Sequence, residues 1–190
     1  LSFFMVGAGG AGSQAILPHA LEAGQGISPV TAGIAASVLT MGVVLGSVAA
    51  DGIAKITGLL KPNIWAGLII SATSLYIGWV TAMNPIAWAM FFLVGFFSVG
   101  IFIPTVQTIL LRSPEIGARY LGAALGFGTA FFALGAFLIP SYIIVPLAQG
   151  NFDLVMIGFA ASLFLGGLLI LPASELGDKV LAKEKGQKNQ

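Results

Sequence analysis

The side chains able to do chemistry inside this chain are amides and hydroxyls. Gln14, with Ser13 beside it, and Gln107, flanked by Thr105 and Thr108, sit within apolar runs, as does Thr40. Such groups hydrogen-bond a solute or a neighbouring helix; they do not transfer protons near neutral pH. Groups that would do so are scarce. There is no cysteine, hence no thiolate nucleophile and no cysteine metal site. His19 is the single histidine, which excludes a zinc site built from histidines. Ser13 and His19 are too far apart along one predicted helix to form a catalytic dyad. No metal, no cofactor and no enzymatic activity are expected.

A primary amide in hydrocarbon is costly unless it is bonded. Gln14 therefore either lines an aqueous cavity or bonds a neighbouring helix. Pro104 removes one backbone hydrogen bond a turn before Gln107. That cluster reads either as a solute contact with a hinge, or as a kink satisfied by other helices.

The setting is a membrane. Of 190 residues 57% are hydrophobic and 8% charged, with a mean hydropathy of +1.00. Soluble domains carry about a quarter charged residues, so most of this surface must face lipid. The apolar runs do not alternate, which excludes a transmembrane β-barrel. The net charge of +1 gives no basic face for nucleic acid. Leu1 in place of an initiator methionine is expected of a piece of a longer protein.

Six apolar runs predict six helices at about residues 2–21, 29–50, 63–83, 85–111, 117–146 and 152–171. Ser28-Pro29, Asn84-Pro85 and Ser113-Pro114 each place a capping side chain before a proline at the first helical position. Asn63 and Asn151 are expected to cap the third and sixth helices. Residues 1–172 form the bundle and 173–190 a lysine-rich tail. The stretch Gly100–Gly135 shows the design: two apolar runs with charge confined to the turn Arg112–Arg119.

The cations fix the orientation. Lys55 and Lys61 follow the second run, Arg112 and Arg119 the fourth, and Lys179, Lys183, Lys185 and Lys188 the sixth. All eight fall on one side, which the positive-inside rule makes cytoplasmic. An inner (plasma) membrane protein with both ends in the cytoplasm is expected. No Asp, Glu, Lys or Arg falls deep within a run, so no obvious ion-coupling residue is present. Asp51 sits at the end of the second helix within reach of Lys55, and Glu115 in the first turn of the fifth.

Small residues suggest an internal repeat. Gly33, Ser37, Thr40 and Ser47 share one face of the second helix, and Gly122, Gly126, Thr129 and Ala136 follow at the same offsets in the fifth. The alignment also matches Gly46 with Gly135. Three helices followed by three inverted ones is a pattern of secondary transporters. Gly7–Gly12 fits G-x-G-x-x-G, but without a strand before it or a soluble βαβ unit around it. There the glycines more naturally allow close helix approach.

With helix count, orientation and repeat in hand, the chain resembles the carboxy-terminal six-helix half of a major facilitator superfamily transporter. Ser47–Asp51 with Lys55, Gly58 and Lys61 resembles that family's G-x-x-x-D-R-x-G-R-R loop. Ser113–Gly117 leading into Gly122–Gly126 resembles the turn before its eleventh helix, and Leu171–Glu175 the end of its twelfth. The resemblance implies a 3+3 inverted-repeat bundle in which the first and fourth helices line a central cavity. Gln14, Ser13, Thr105, Gln107 and Thr40 become candidate cavity residues. Asp51, Lys55, Lys61, Glu115 and Arg119 become candidates for gating, and Gly33, Gly122, Gly126 and Gly135 for helix packing. The expected function is secondary active transport of a small molecule or ion by alternating access, together with an N-terminal six-helix half. The alternative is a non-transporting membrane scaffold subunit.

Overall fold

The computed structural model describes residues 1–81, 84–113, 116–173 and 175–178, and among them every regular element is helical. Helix α1 runs through Ser2–Val6, a π-helical turn at Gly7–Ala11 and Gly12–Gln25. It is followed by α2 (Pro29–Thr57), α3 (Lys61–Val80) and α4 (Pro85–Arg112). Helix α5 comprises Gly117–Ile139, a second π-helical turn at Pro140–Ile144 and Val145–Ala148, and α6 is Phe152–Leu168. Four segments are long and apolar enough to cross a membrane: Pro29–Thr57, Lys61–Val80, Ile86–Arg112 and Tyr120–Ala148. Phe152–Leu168 is a shorter apolar helix.

Three of the expected caps form. The Ser28 hydroxyl accepts from the Thr31 N–H at 3.2 Å. Asn84 Oδ1 accepts from Ile86 and Ala87 at 3.2 Å each, and Asn151 Oδ1 from Asp153 and Leu154 at 2.9 and 3.3 Å. Two do not. Helix α3 starts at Lys61, ahead of Asn63, and the Asn63 side chain donates backwards to Thr57 Oγ1 at 2.8 Å and the Leu59 carbonyl at 2.6 Å. Ser113 closes α4 instead of opening α5, its N–H on the Leu110 carbonyl at 3.3 Å, and α5 begins at Gly117. Pro114 and Glu115 lie outside the described residues, as do Ala82 and Met83.

The second helix does not stop at Ala50. It continues to Thr57 because Ile53 and Ala54 keep it apolar, and Gly58 ends it in the left-handed conformation at φ 67°. Lys61 is therefore helical and not part of a loop. At the other end of the chain α6 stops at Leu168, short of the expected Leu171, in a run of turns.

Helix α2 lies along α4, α1 lies along α5 and α6, and α3 fills the space between α4 and α6. In lipid there is little hydrophobic drive to bring helices together, so close van der Waals contact must do it. Glycines provide that contact at two crossings. Gly46 lies on the backbone carbonyl of Phe97, and Gly100 on that of Val43. Gly135 lies on the carbonyl of Phe4, and Gly7 on that of Phe132. A Cβ at any of the four would overlap a backbone atom.

These crossings are copies of one another. The offset that carries Gly33 onto Gly122 also carries Gly46 onto Gly135 and Val43 onto Phe132. A second constant offset carries Phe4 onto Phe97 and Gly7 onto Gly100. The α2–α4 contact is thus repeated, residue for residue, as α5–α1.

One pole of the bundle is tied by the segment after α6. Glu175 accepts from the Leu60 and Lys61 N–H groups at 2.9 Å each, capping α3 from more than a hundred residues away, and from Gly177 at 2.7 Å. Arg112 donates to the Leu176 carbonyl at 3.0 Å and pairs with Asp178 at 2.7 Å. The α2–α3 turn, the end of α4 and the segment after α6 therefore share this pole. At the other pole Trp79 donates its indole N–H to Asp153 at 2.6 Å, and His19 meets the edge of Phe152 at 5.9 Å.

Two outcomes are expected. Gly46→Ala and Gly135→Ala should each cost about 1–3 kcal/mol or more by overpacking. Gly33→Ala and Gly122→Ala, whose Cβ would meet nothing within 4 Å, should be neutral or slightly stabilising. Thermal unfolding in detergent separates the pairs. In the same assay Glu175→Ala should cost about 1–2 kcal/mol, as loss of a helix cap does, with Glu175→Gln recovering part of it.

Candidate functional site

Hydroxyls in a helix surrounded by hydrocarbon bond back to their own backbone, and most of the expected cavity residues do this. Ser13 is fully buried and donates to the Gly10 carbonyl at 2.9 Å. Thr105, also buried, donates to Ile101 at 2.7 Å, and Thr108 to Pro104 at 3.0 Å. Thr40 donates to Ala36 at 3.0 Å on an exposed face of α2. None of these hydroxyls is turned toward the cavity at the helix crossings.

Gln14 is. It is half-buried, makes no hydrogen bond to the described chain, and lines a cavity of about 260 Å³ between α1, α2, α4 and α5. The cavity sits where both glycine crossings meet. Gly10, Ala11, Ser47, Gly100 and Phe132 form the wall around the amide. The π-turn places Gly10 and Ala11 there; such turns are frequent at functional sites. Gln107 lies one turn beyond Ile103, a wall residue, and is exposed.

The two prolines bear on the same wall. Pro104 lacks the N–H that would reach the carbonyl of Gly100. Ser47 fills the gap, its hydroxyl donating to that carbonyl at 3.0 Å. The Pro104 kink is therefore satisfied by a neighbouring helix. Pro18 likewise withholds an N–H from the carbonyl of Gln14.

A polar cleft of about 350 Å³ lies at the pole where Trp79 meets Asp153, outside the helix crossings, and two further openings are mostly apolar. A cleft of about 390 Å³ between the end of α5 and α6 is walled by Met5, Ile139, Ile144 and Leu165. Its one hydroxyl, Ser162, already donates to Gly158 at 2.9 Å. A shallow groove of about 410 Å³ lies between α3 and α6 on the outside of the bundle.

Of the gating candidates, two pair with each other. Asp51 pairs with Lys55 at 2.6 Å along one helix, both side chains more than 70% exposed, an arrangement worth little in stability. Asp51 also borders a crevice of about 30 Å³ with Thr105 and Thr108, room for little more than a water. Lys61 is at the pole capped by Glu175. Glu115 and the side chain of Arg119 lie outside the described residues. Of the packing glycines, Gly135 is in the α1–α5 crossing, whereas Gly33, Gly122 and Gly126 have open space at their Cβ positions.

Ser47, Gly10 and Gly100 belong to this wall although composition alone does not mark them. A signal was present in the sequence. Residues 3–17, FFMVGAGGAGSQAIL, match residues 96–110, FFSVGIFIPTVQTIL, at seven of fifteen positions. The match contains Gly7 with Gly100 and Gln14 with Gln107, in the register of the crossings. Comparison of the chain with protein-family models, with curated proteins and with solved structures finds no match.

Because the Gln14 side chain holds no partner among the described residues, Gln14→Leu should change stability by no more than about 0.5 kcal/mol, as surface substitutions do. Ser47→Ala strands the Gly100 carbonyl and should cost about 1–3 kcal/mol. Denaturation of the two variants in the same detergent checks the contrast.

Proposed function

We propose that this chain is a six-helix half of a secondary active transporter of the major facilitator type, and that it moves a small polar solute by alternating access. The observation that carries the reading is the cavity at the helix crossings, with an amide in its wall that no group among the described residues bonds. An unbonded amide amid apolar helices is costly unless water or solute reaches it. On this reading α1 and α6 cross the bilayer as the four longer helices do, making six passages. At 1.5 Å per residue α6 spans about 25 Å, enough with its flanking turns for a thin or adapting bilayer.

The pole holding Lys61, Arg112 and the Glu175–Asp178 strap is then cytoplasmic in an inner membrane. The remaining six helices would be supplied by an N-terminal half. Burial supports where that half sits. In their apolar windows 28% of α2 and 17% of α5 is buried, against 50% in both α3 and α4. The two least covered helices are repeat mates flanking the cavity, and each carries open glycines facing outward. Those faces are the sliding contact with the partner bundle, where small side chains let helices approach.

Uptake into proteoliposomes, screened over a panel of radiolabelled small solutes, tests this. The wild type is expected to accumulate at least one solute. Gln14→Leu and Gly126→Leu are expected to insert normally and lose at least about tenfold of that uptake. Wild-type rates in Gln14→Leu would remove the cavity from the mechanism, and wild-type rates in Gly126→Leu would remove the sliding contact. A wild type that accumulates nothing would favour the scaffold role.

A further inference from the structure

The cavity wall is built from repeat mates. Val6 faces it with Val99, Gly10 with Ile103, and Val43 with Phe132; each pair is related by the offsets that superpose the two crossings. Two of the carbonyls freed by proline, those of Gln14 and Gly100, belong to residues of this wall, while Pro140 and Pro146 lie elsewhere in α5. The internal axis of the repeat therefore passes through the cavity. Gln14 is in the wall, and its mate Gln107 stands one turn outside it, exposed.

We propose that Gln14 and Gln107 are one solute ligand carried twice, presented to the cavity from opposite faces of the membrane. The proposal rests on the transport reading above and deepens it. Two helices, α2 and α3, lie between the mates, so α1 and α4 run in opposite directions across the bilayer. Gln14 lies beyond its crossing glycine, Gly7, by the same seven residues that separate Gln107 from Gly100. At 1.5 Å per residue each amide stands about 10 Å from the crossing, on opposite sides of it. A primary amide both donates and accepts hydrogen bonds, and no ionisable side chain lines the cavity. This half thus offers the solute neutral hydrogen bonding and no counter-charge.

The chain contains no cysteine, so single cysteines report cleanly. Gln14→Cys and Gln107→Cys, in the full chain in right-side-out and inverted membrane vesicles, are treated with membrane-impermeant methanethiosulfonate reagents, one cationic and one anionic. Position 14 is expected to react faster from the outer face and position 107 faster from the cytoplasmic face. At position 14 the two reagents are expected to react within about tenfold of each other, after correction for their intrinsic rates. The next pair of mates, Ala15→Cys and Thr108→Cys, repeats the measurement if either variant fails to insert, with the same sidedness expected.

Faster reaction of both positions from the same face, or equal rates from the two faces at each, overturns the paired ligand while leaving a water-lined cavity in place. A preference for either reagent well beyond tenfold overturns the neutral character of the site. Reaction of neither position from either face overturns the pairing and the transport reading together.

Discussion

The bundle depends on backbone meeting backbone at two helix crossings. Gly46 and Gly100 on one side, and Gly135 and Gly7 on the other, remove the Cβ atoms that would hold the helices apart. Helices in lipid gain little from burying more hydrocarbon, so this approach supplies the dispersion contact that soluble proteins obtain from a dry core. Large aromatic side chains then fill the interior: Phe96 and Phe102 from α4 and Phe159 from α6 are buried, as is Trp79 from α3 at the pole of Asp153. Because the crossings are repeat mates, one structural solution is used twice, and the cavity lies between its two copies.

Polar groups follow a strict economy around that frame. Most hydroxyls return to carbonyls of their own helix, while Ser2 bonds the Gly166 carbonyl and Ser47 compensates for a proline on a neighbouring helix. Charges are kept at the poles: Glu175 and Arg112 at one, Asp153 at the other. Gln14 is an exception in the cavity wall: among the described residues its side chain has no hydrogen-bond partner, a state it shares with Ser71 Oγ and Trp88 Nε1 in the packed core. That exception gives the proposed transport function its physical ground, since fold alone does not specify an activity.

Much of the architecture was legible in the residues. Apolar run length located the helices, and Ser28, Asn84 and Asn151 capped them as their spacing implied, because a cap is a local interaction. Asn63 failed because the cap of α3 comes from Glu175, across the whole chain, and no local pattern carries such a contact. Ala50 misled as a helix end because Asp51 looks like an exit to water, whereas Lys55 one turn on satisfies it along the helix surface. The repeat was half legible. Gly33, Gly122 and Gly126 share its offset but touch nothing within the chain, while Gly46 and Gly135, on the same offset, make the crossing. Stripes of small residues look alike in sequence whether they face inward or outward. Thr105, Ser13 and Thr40 could not be told from Gln14 by type, since only the geometry shows that a hydroxyl reaches its own carbonyl and an amide does not.

The central claim is an inverted pair of three-helix units, which requires the poles of the bundle to lie on opposite faces of the membrane. Cysteines at Glu22 and Gln149 on one pole, and at Lys55 and Asp178 on the other, can be labelled in intact cells with an impermeant maleimide before and after permeabilisation. The account predicts that Glu22 and Gln149 react in intact cells, and that Lys55 and Asp178 react only once the membrane is opened. Lys55 and Asp178 found on opposite faces would contradict it.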